Sequence, residues 1–140
     1  MGEELDRIGM PEKLPEDDFV HHCGMKIEKL EKGYCRIGCD IASYHLNYME
    51  IAHGGVAFTL LDTAAGKAGL TLCAEGKTVV SLCAGIHFLR PVRKGHIYAD
   101  GKVVKAGKKT ALVLADVMDD AGNHYAHGEV ELFFVDMKKY

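Results

Sequence analysis

From Gly55 to Ala74 the chain is apolar on nearly every side, contains no proline and does not alternate. About twenty such residues at a 1.5 Å rise predict a helix ~30 Å long. A helix that is apolar all round has to be enclosed, so the remainder of the chain must surround this one. Ala57, Ala64, Ala65, Ala68 and Gly69 keep much of its surface small, which lets it lie close against a neighbour. Glycine inside a helix costs roughly 1 kcal/mol relative to alanine. Gly66 and Gly69 therefore point to a packing constraint.

After Glu75-Gly76 the period switches to two. Val80, Leu82, Ala84, Ile86 and Phe88 are expected on one face of a strand, and Ser81, Cys83, Gly85 and His87 on the other. "HIYADGKVVKA" and "KTALVLADVMD" read as the next two strands, joined by a tight turn at Ala106-Gly107-Lys108. A second turn at Asp119–Asn123 leads to "HYAHGEVELFFV", with Ala126, Gly128, Val130, Leu132 and Phe134 facing one way. Upstream, "MKIEKLE" and "YCRIGCDI" are split by Lys32-Gly33 and read as a hairpin. Residues 42–52 form a polar loop, and residues 1–20 an N-terminal arm or short helix. The expected fold class is α+β: a single domain over 1–140 whose antiparallel sheet wraps around one long central helix. Val79, Cys83, Leu112 and Leu114 on the other strand faces are too apolar for open water, so burial against a second copy is expected.

Composition removes several functional classes. A net charge of -3 gives no electrostatic footprint for nucleic acid. No apolar run approaches the ~18 uncharged residues of a membrane span, and the acidic N-terminus does not resemble a secretory signal. Five cysteines, an odd number without CxxC, suit a reduced, cytoplasmic protein. His124-x2-His127 should lie on opposite sides of a strand, and neither this pair nor His21-His22 has a carboxylate at a diagnostic spacing; no metal and no cofactor are expected. "AAGKAG" is not a phosphate loop, because Leu61 and Ala68 stand where glycine and Ser/Thr are required. Cys73 and Cys83 have no evident His-Asn partnership.

Asp62 interrupts the apolar helix. A carboxylate among Leu60, Leu61, Ala64 and Ala65 is expensive to desolvate. One reading is a structural acid bonded to Thr59, Thr63 or a neighbouring loop. The other is a base, since burial makes a carboxylate more basic. His53-Gly54-Gly55 precedes the first turn, where free N–H groups suit an oxyanion or a polarised carbonyl and glycines admit a ligand close to the backbone; a flexible helix entry is the alternative. Gly54 and Asp62 are ~12 Å apart along one helix, whereas groups serving one carbon must lie ~3 Å from it. Both can act together only if two chains pair antiparallel, which puts such a site between subunits.

"HGGVAFTLLDTAAGKA", with Asn47 upstream, resembles the N-x5-HGG-x6-D signature of hotdog-fold acyl-CoA thioesterases of the PaaI-like, phenylacetate-pathway type. The stretch from Thr78 to Phe134, with its FLRP-x3-G and K-x-G-K elements, resembles that family's four-strand half. The resemblance spans roughly residues 34 to 135. It implies a helix "sausage" in a sheet "bun", homodimers commonly paired into homotetramers, and hydrolysis of acyl-CoA to free acid and coenzyme A, which enters only as part of the substrate. It implies that Gly54 donates its N–H to the thioester oxygen, that His53 and Asn47 line the site, and that Asp62 of the partner activates water. Ser81 would hold the water or the acyl end. Cys83 and His87, expected on Ser81's face, would touch the acyl group.

The same resemblance brings Gly55, Phe88, Leu89 and Pro91 to the substrate. It assigns the nucleotide phosphates to two basic segments, Arg90, Arg93 and Lys94 in one and Lys105, Gly107, Lys108 and Lys109 in the other. Two alternatives stay open: an acyl-thioester hydratase or dehydratase of the same fold, and a non-catalytic acyl-CoA-binding module.

Overall fold

The computed structural model describes residues 17–139. A short helix α1 (Asp18–His22) leads into the hairpin β1 (Met25–Glu31) and β2 (Tyr34–Asp40), then a loop, the long helix α2 (Gly54–Leu70) and the strands β3 (Lys77–Phe88), β4 (His96–Ala106), β5 (Thr110–Met118) and β6 (His124–Asp136). All six strands form one antiparallel sheet in the order β1-β2-β4-β5-β6-β3. The sheet curls around α2, which is the hotdog fold. The residues that the sequence assigns to an arm lie, up to residue 16, outside the described residues.

α2 ends earlier than the expected Ala74. The hydroxyl of Thr71 donates to Ala68 O at 2.6 Å and accepts Gly33 N–H at 2.7 Å, tying the last turn to the β1–β2 hairpin. The apolar run continues, but the chain has to turn back here to enter β3.

Helix and sheet touch through small residues. A Cβ on Gly101 of β4 would lie 2.8 Å from the Ala64 backbone, and one on Gly69 would collide with Leu132. Leu60, Leu61, Ala64, Ala65 and Ala68 are fully buried against Ile37, Ala99, Val113, Ala115, Val130 and Leu132. The packing constraint expected at Gly66 is absent among the described residues, where nothing comes within 4 Å of a Cβ there. Gly66 belongs to an open stripe of α2 with Phe58, Asp62 and Leu70, none of which its own sheet covers fully.

Two β-bulges redirect side chains. In β3 the register moves from Ser81↔Leu132 to Cys83↔Glu131, leaving Leu82 unpaired. A bulge inverts the alternation beyond it. Val79 and Ser81 therefore face the helix together with Ala84, Ile86 and Phe88, whereas Val80 and Leu82, expected on that face, do not. In β6 the register moves from Val117↔Ala126 to Met118↔His124, with Tyr125 as the extra residue. His124 and His127 consequently share the outer face instead of opposing one another.

Among the described residues β3 is an edge strand that pairs only with β6. Its Leu82 and Phe88 are 59% and 58% exposed, and Phe88 lines a groove with Phe58 and Asp62 of the open stripe of α2. On the outer face, Arg36 donates to both oxygens of Asp100 at 2.7 and 2.9 Å, and Tyr34 donates to the same carboxylate at 2.6 Å. Burial pushes Asp100 up, but these donors outweigh it and hold the carboxyl below its usual range. Burial, helped by that bond, pushes Tyr34 up to about 12. The group seals the β2–β4 seam.

Candidate active site

The loop before α2 is held by its own polar groups. Buried His45 accepts Ala42 N–H on Nδ1 at 2.9 Å, its Nε2 meets Cys23 O at 2.6 Å, and its carbonyl accepts His53 N–H at 2.8 Å. Asn47 Oδ1 accepts N–H groups from Met49 at 2.9 Å and Ile51 at 3.4 Å. This turn consumes the oxygen of Asn47 and leaves its NH2 as the group available to a ligand.

His53 caps α2. Its Nδ1 accepts Gly55 N–H at 2.8 Å, which leaves the Nε2 edge for other work. The cap explains Gly55, and the Phe88 ring explains Gly54. A Cβ on Gly55 would lie 2.9 Å from that Nδ1, and one on Gly54 would lie 3.2 Å from the Phe88 ring. Gly54 N–H has no hydrogen-bond partner among the described residues. It is a free donor at the positive end of a 17-residue helix.

Two concavities meet at this donor. A cavity of about 340 Å³ lies between the loop and the start of β6, walled by Ile51, Ala52, Ala57, Leu89, Pro91, Val92, Ile97 and Tyr125, with Asn47 and Arg90 at its polar edge. An open groove of about 510 Å³ runs along α2 past Phe58 and Thr59 to Asp62 and Thr63, with Phe19 of α1 at its side. His53, Gly54 and Phe88 line both.

Asp62 is half-buried, not sunk in the core as its neighbours in sequence suggest, because it lies on the open stripe of α2. Its Oδ1 accepts the Ser81 hydroxyl at 2.6 Å, so the partner is Ser81 of β3 and not Thr59 or Thr63. Thr59 donates instead to Gly55 O at 2.8 Å. Only the bulge at Leu82 allows this pair to form. By the same rotation Cys83 and His87 leave Ser81's face and point away from the groove, correcting the expected contact with an acyl group.

The two basic segments are not together in one chain. Arg90, Arg93 and Lys94 follow β3 beside the start of α2, and Arg90 donates to Asn123 Oδ1 at 2.7 Å. Lys105, Gly107, Lys108 and Lys109 surround the β4–β5 turn, where Gly107 and Lys108 share a separate pocket with Leu72 and Cys73 beyond the end of α2. The helix length of ~25 Å separates them.

Tyr125 has no signal in the sequence that marks it as part of the site. Its hydroxyl donates to Asp119 Oδ2 at 2.6 Å, and its carbonyl accepts Leu89 N–H at 2.8 Å and Arg90 N–H at 3.2 Å. The Tyr125 hydroxyl, followed by the Asn123 amide, holds the Asp119 carboxyl at about 2. All five cysteines are free. Burial pushes Cys35 up to about 12, and Cys39 and Cys73 up to about 11, which leaves these three as inert packing thiols.

Residues 49–126 match the family model described as "Thioesterase superfamily". A curated protein of Saccharolobus solfataricus, named as a provisional esterase, is 33% identical over 112 residues, 80% of this chain and 73% of the relative. Among solved structures, the PaaI protein of the Escherichia coli phenylacetic acid degradation operon superposes with a TM-score of 0.79 at 24% identity, covering 85% of each chain. A hypothetical thioesterase of Streptococcus pneumoniae, solved with coenzyme A, superposes with a TM-score of 0.73 at 26% identity, covering 80% of this chain and 86% of that one.

Proposed function

The chain belongs to the thioesterase superfamily, in its PaaI-like hotdog branch, and on that premise we propose that it hydrolyses acyl-CoA thioesters at a site completed by a second copy of itself. The single observation that carries this reading is the free Gly54 N–H, among the described residues, where an apolar-lined cavity meets an open groove.

The thioester carbonyl accepts that N–H at the helix N-terminus, with the acyl group in the cavity and the Asn47 amide on the polar side. Attack on the carbonyl carbon places negative charge on its oxygen, where the Gly54 N–H and the helix dipole stabilise it. An oxyanion donor of this kind is worth ~3 kcal/mol. Asp62, oriented by Ser81, takes the proton of the attacking water. Within one chain it is ~12 Å from Gly54 along the helix, so the Asp62 that acts is the partner's. Collapse of the tetrahedral intermediate breaks the C–S bond, and the departing coenzyme A thiolate takes up the proton held on Asp62, which restores the carboxylate.

Pairing of this kind is supported by the open edge of β3 and by the uncovered stripe of α2 beside it. Antiparallel pairing also carries the Lys105–Lys109 turn of one copy toward the Arg90–Lys94 loop of the other, gathering cations for the nucleotide phosphates. Dimers then pair into homotetramers in our reading. The five free cysteines suit the reducing cytoplasm.

The test is Asp62→Asn in a thiol-release assay across aryl- and alkyl-CoAs, run beside sedimentation. The expected result is a fall in kcat of roughly 100-fold or more with unchanged assembly. Near-normal turnover by an intact assembly would refute the role of Asp62. Saturable acyl-CoA binding by the wild type without thiol release would point to a binding module.

A further inference from the structure

The outer face of the sheet carries a cluster that the hydrolytic site does not use. The bulge at Tyr125 turns His124 and His127 of β6 to one side, toward Asp116 of β5. Asp116 Oδ1 lies 2.7 Å from His124 Nε2 and 2.7 Å from His127 Nδ1. The rings stand edge to face at 73°, with centroids 6.2 Å apart. One donor atom from each of the three residues lies within 4.8 Å of the other two.

Hydrogen bonding alone does not require this convergence. A carboxylate offers two oxygens and about four acceptor positions, yet both imidazoles meet a single oxygen, and Oδ2 has no partner among the described residues. The neighbouring groups are otherwise placed. Asp100, opposite Asp116 in register, is held by Arg36 and Tyr34. His87, opposite His127 on β3, shares the face but lies outside the cluster. Two imidazole nitrogens and one carboxylate oxygen form a three-protein-ligand set of the kind that binds Zn²⁺ with one position left to water. The side chains are 38%, 41% and 44% exposed, so that fourth position faces solvent. Metal bonds of ~2.0–2.2 Å require each imidazole nitrogen to draw back from its 2.7 Å contact with Asp116 Oδ1.

We propose that Asp116, His124 and His127 form a divalent metal site of zinc type that clamps β5 to β6. Tyr125 lies between the two histidines; its carbonyl holds Leu89 and Arg90 of the cavity wall, and its hydroxyl donates to Asp119. A metal here stiffens the strand that backs the cavity without touching the substrate.

The test uses the full chain, stripped with a chelator and titrated with Zn²⁺ by calorimetry, with Co²⁺ absorption as an independent report of coordination. The expected result is one Zn²⁺ per chain, a higher Tm at saturating zinc and visible Co²⁺ bands. Asp116→Asn and His127→Gln each weaken binding at least about tenfold and abolish the rise in Tm, with circular dichroism unchanged. His96→Ala, at the separate Glu28–His96–Asp40 cluster, leaves binding intact. Absence of saturable binding overturns the site. So does binding that survives both Asp116→Asn and His127→Gln, or binding that is lost with His96.

Discussion

Ser81 holds Asp62 by a 2.6 Å bond that crosses from strand to helix. Because Asp62 lies on an open face, its position depends on this bond more than on packing. Ser81→Ala should therefore reduce kcat by about tenfold while KM changes little, since the hydroxyl orients a base without carrying a proton itself. Steady-state kinetics on the best acyl-CoA would show this; an unchanged kcat would remove Ser81 from the mechanism. The motif His53-Gly54-Gly55 was legible from residue types, and its steric basis agrees with them. The partner of Asp62 was not, because it depends on which way a strand residue points.

Among the elements, α2 is where glycine matters most. Gly69 is pressed against Leu132, whereas Gly66 opens onto an uncovered stripe. Gly69→Ala is expected to destabilise the fold by about 1–3 kcal/mol through overpacking. Gly66→Ala should instead be neutral or stabilising by up to about 1 kcal/mol from helix propensity. Urea unfolding of the two variants measures both, and equal destabilisation would contradict the asymmetry. Period and turn residues placed every strand of the described chain. Neither bulge could be read in them, because the register slip is set by cross-strand hydrogen bonds and not by local preference. One unpaired residue in β3 separated Ser81 from Cys83 and His87, and one in β6 brought His124 and His127 together.

For the whole molecule, assembly and pH are the levers. Leu82 is 59% exposed on the open edge of β3, and its side chain does not face the helix. Leu82→Asp should yield folded monomers without thioesterase activity, as sedimentation and circular dichroism would register. Full turnover by a monomer would end the shared-site reading. On the outer face, His96 places its two nitrogens 2.7 Å from Asp40 and 2.8 Å from Glu28. Bonding to Asp40, then to Glu28, raises its pKa above 6.5 despite partial burial. The folded state thus binds the proton more tightly than the unfolded chain does. Its contribution is complete below that ordinary value and is lost as pH rises through the folded one. Thermal unfolding across this range should fall more steeply with pH in the wild type than in His96→Gln; parallel profiles would exclude the effect.

By itself the sequence determined the elements, the helix that the sheet wraps and the His53-Gly54-Gly55 turn at its start. These follow from local periodicity and glycine sterics, both written in neighbouring residues; the core burial that the neighbours of Asp62 suggest did not follow, because the sheet leaves that stripe of the helix open. Tertiary structure decided which side chains meet: Ser81 with Asp62, Tyr125 with the cavity, Asp116 with two histidines. Those encounters depend on register between strands far apart in the chain, and a slip of one residue turns every side chain beyond it to the opposite face.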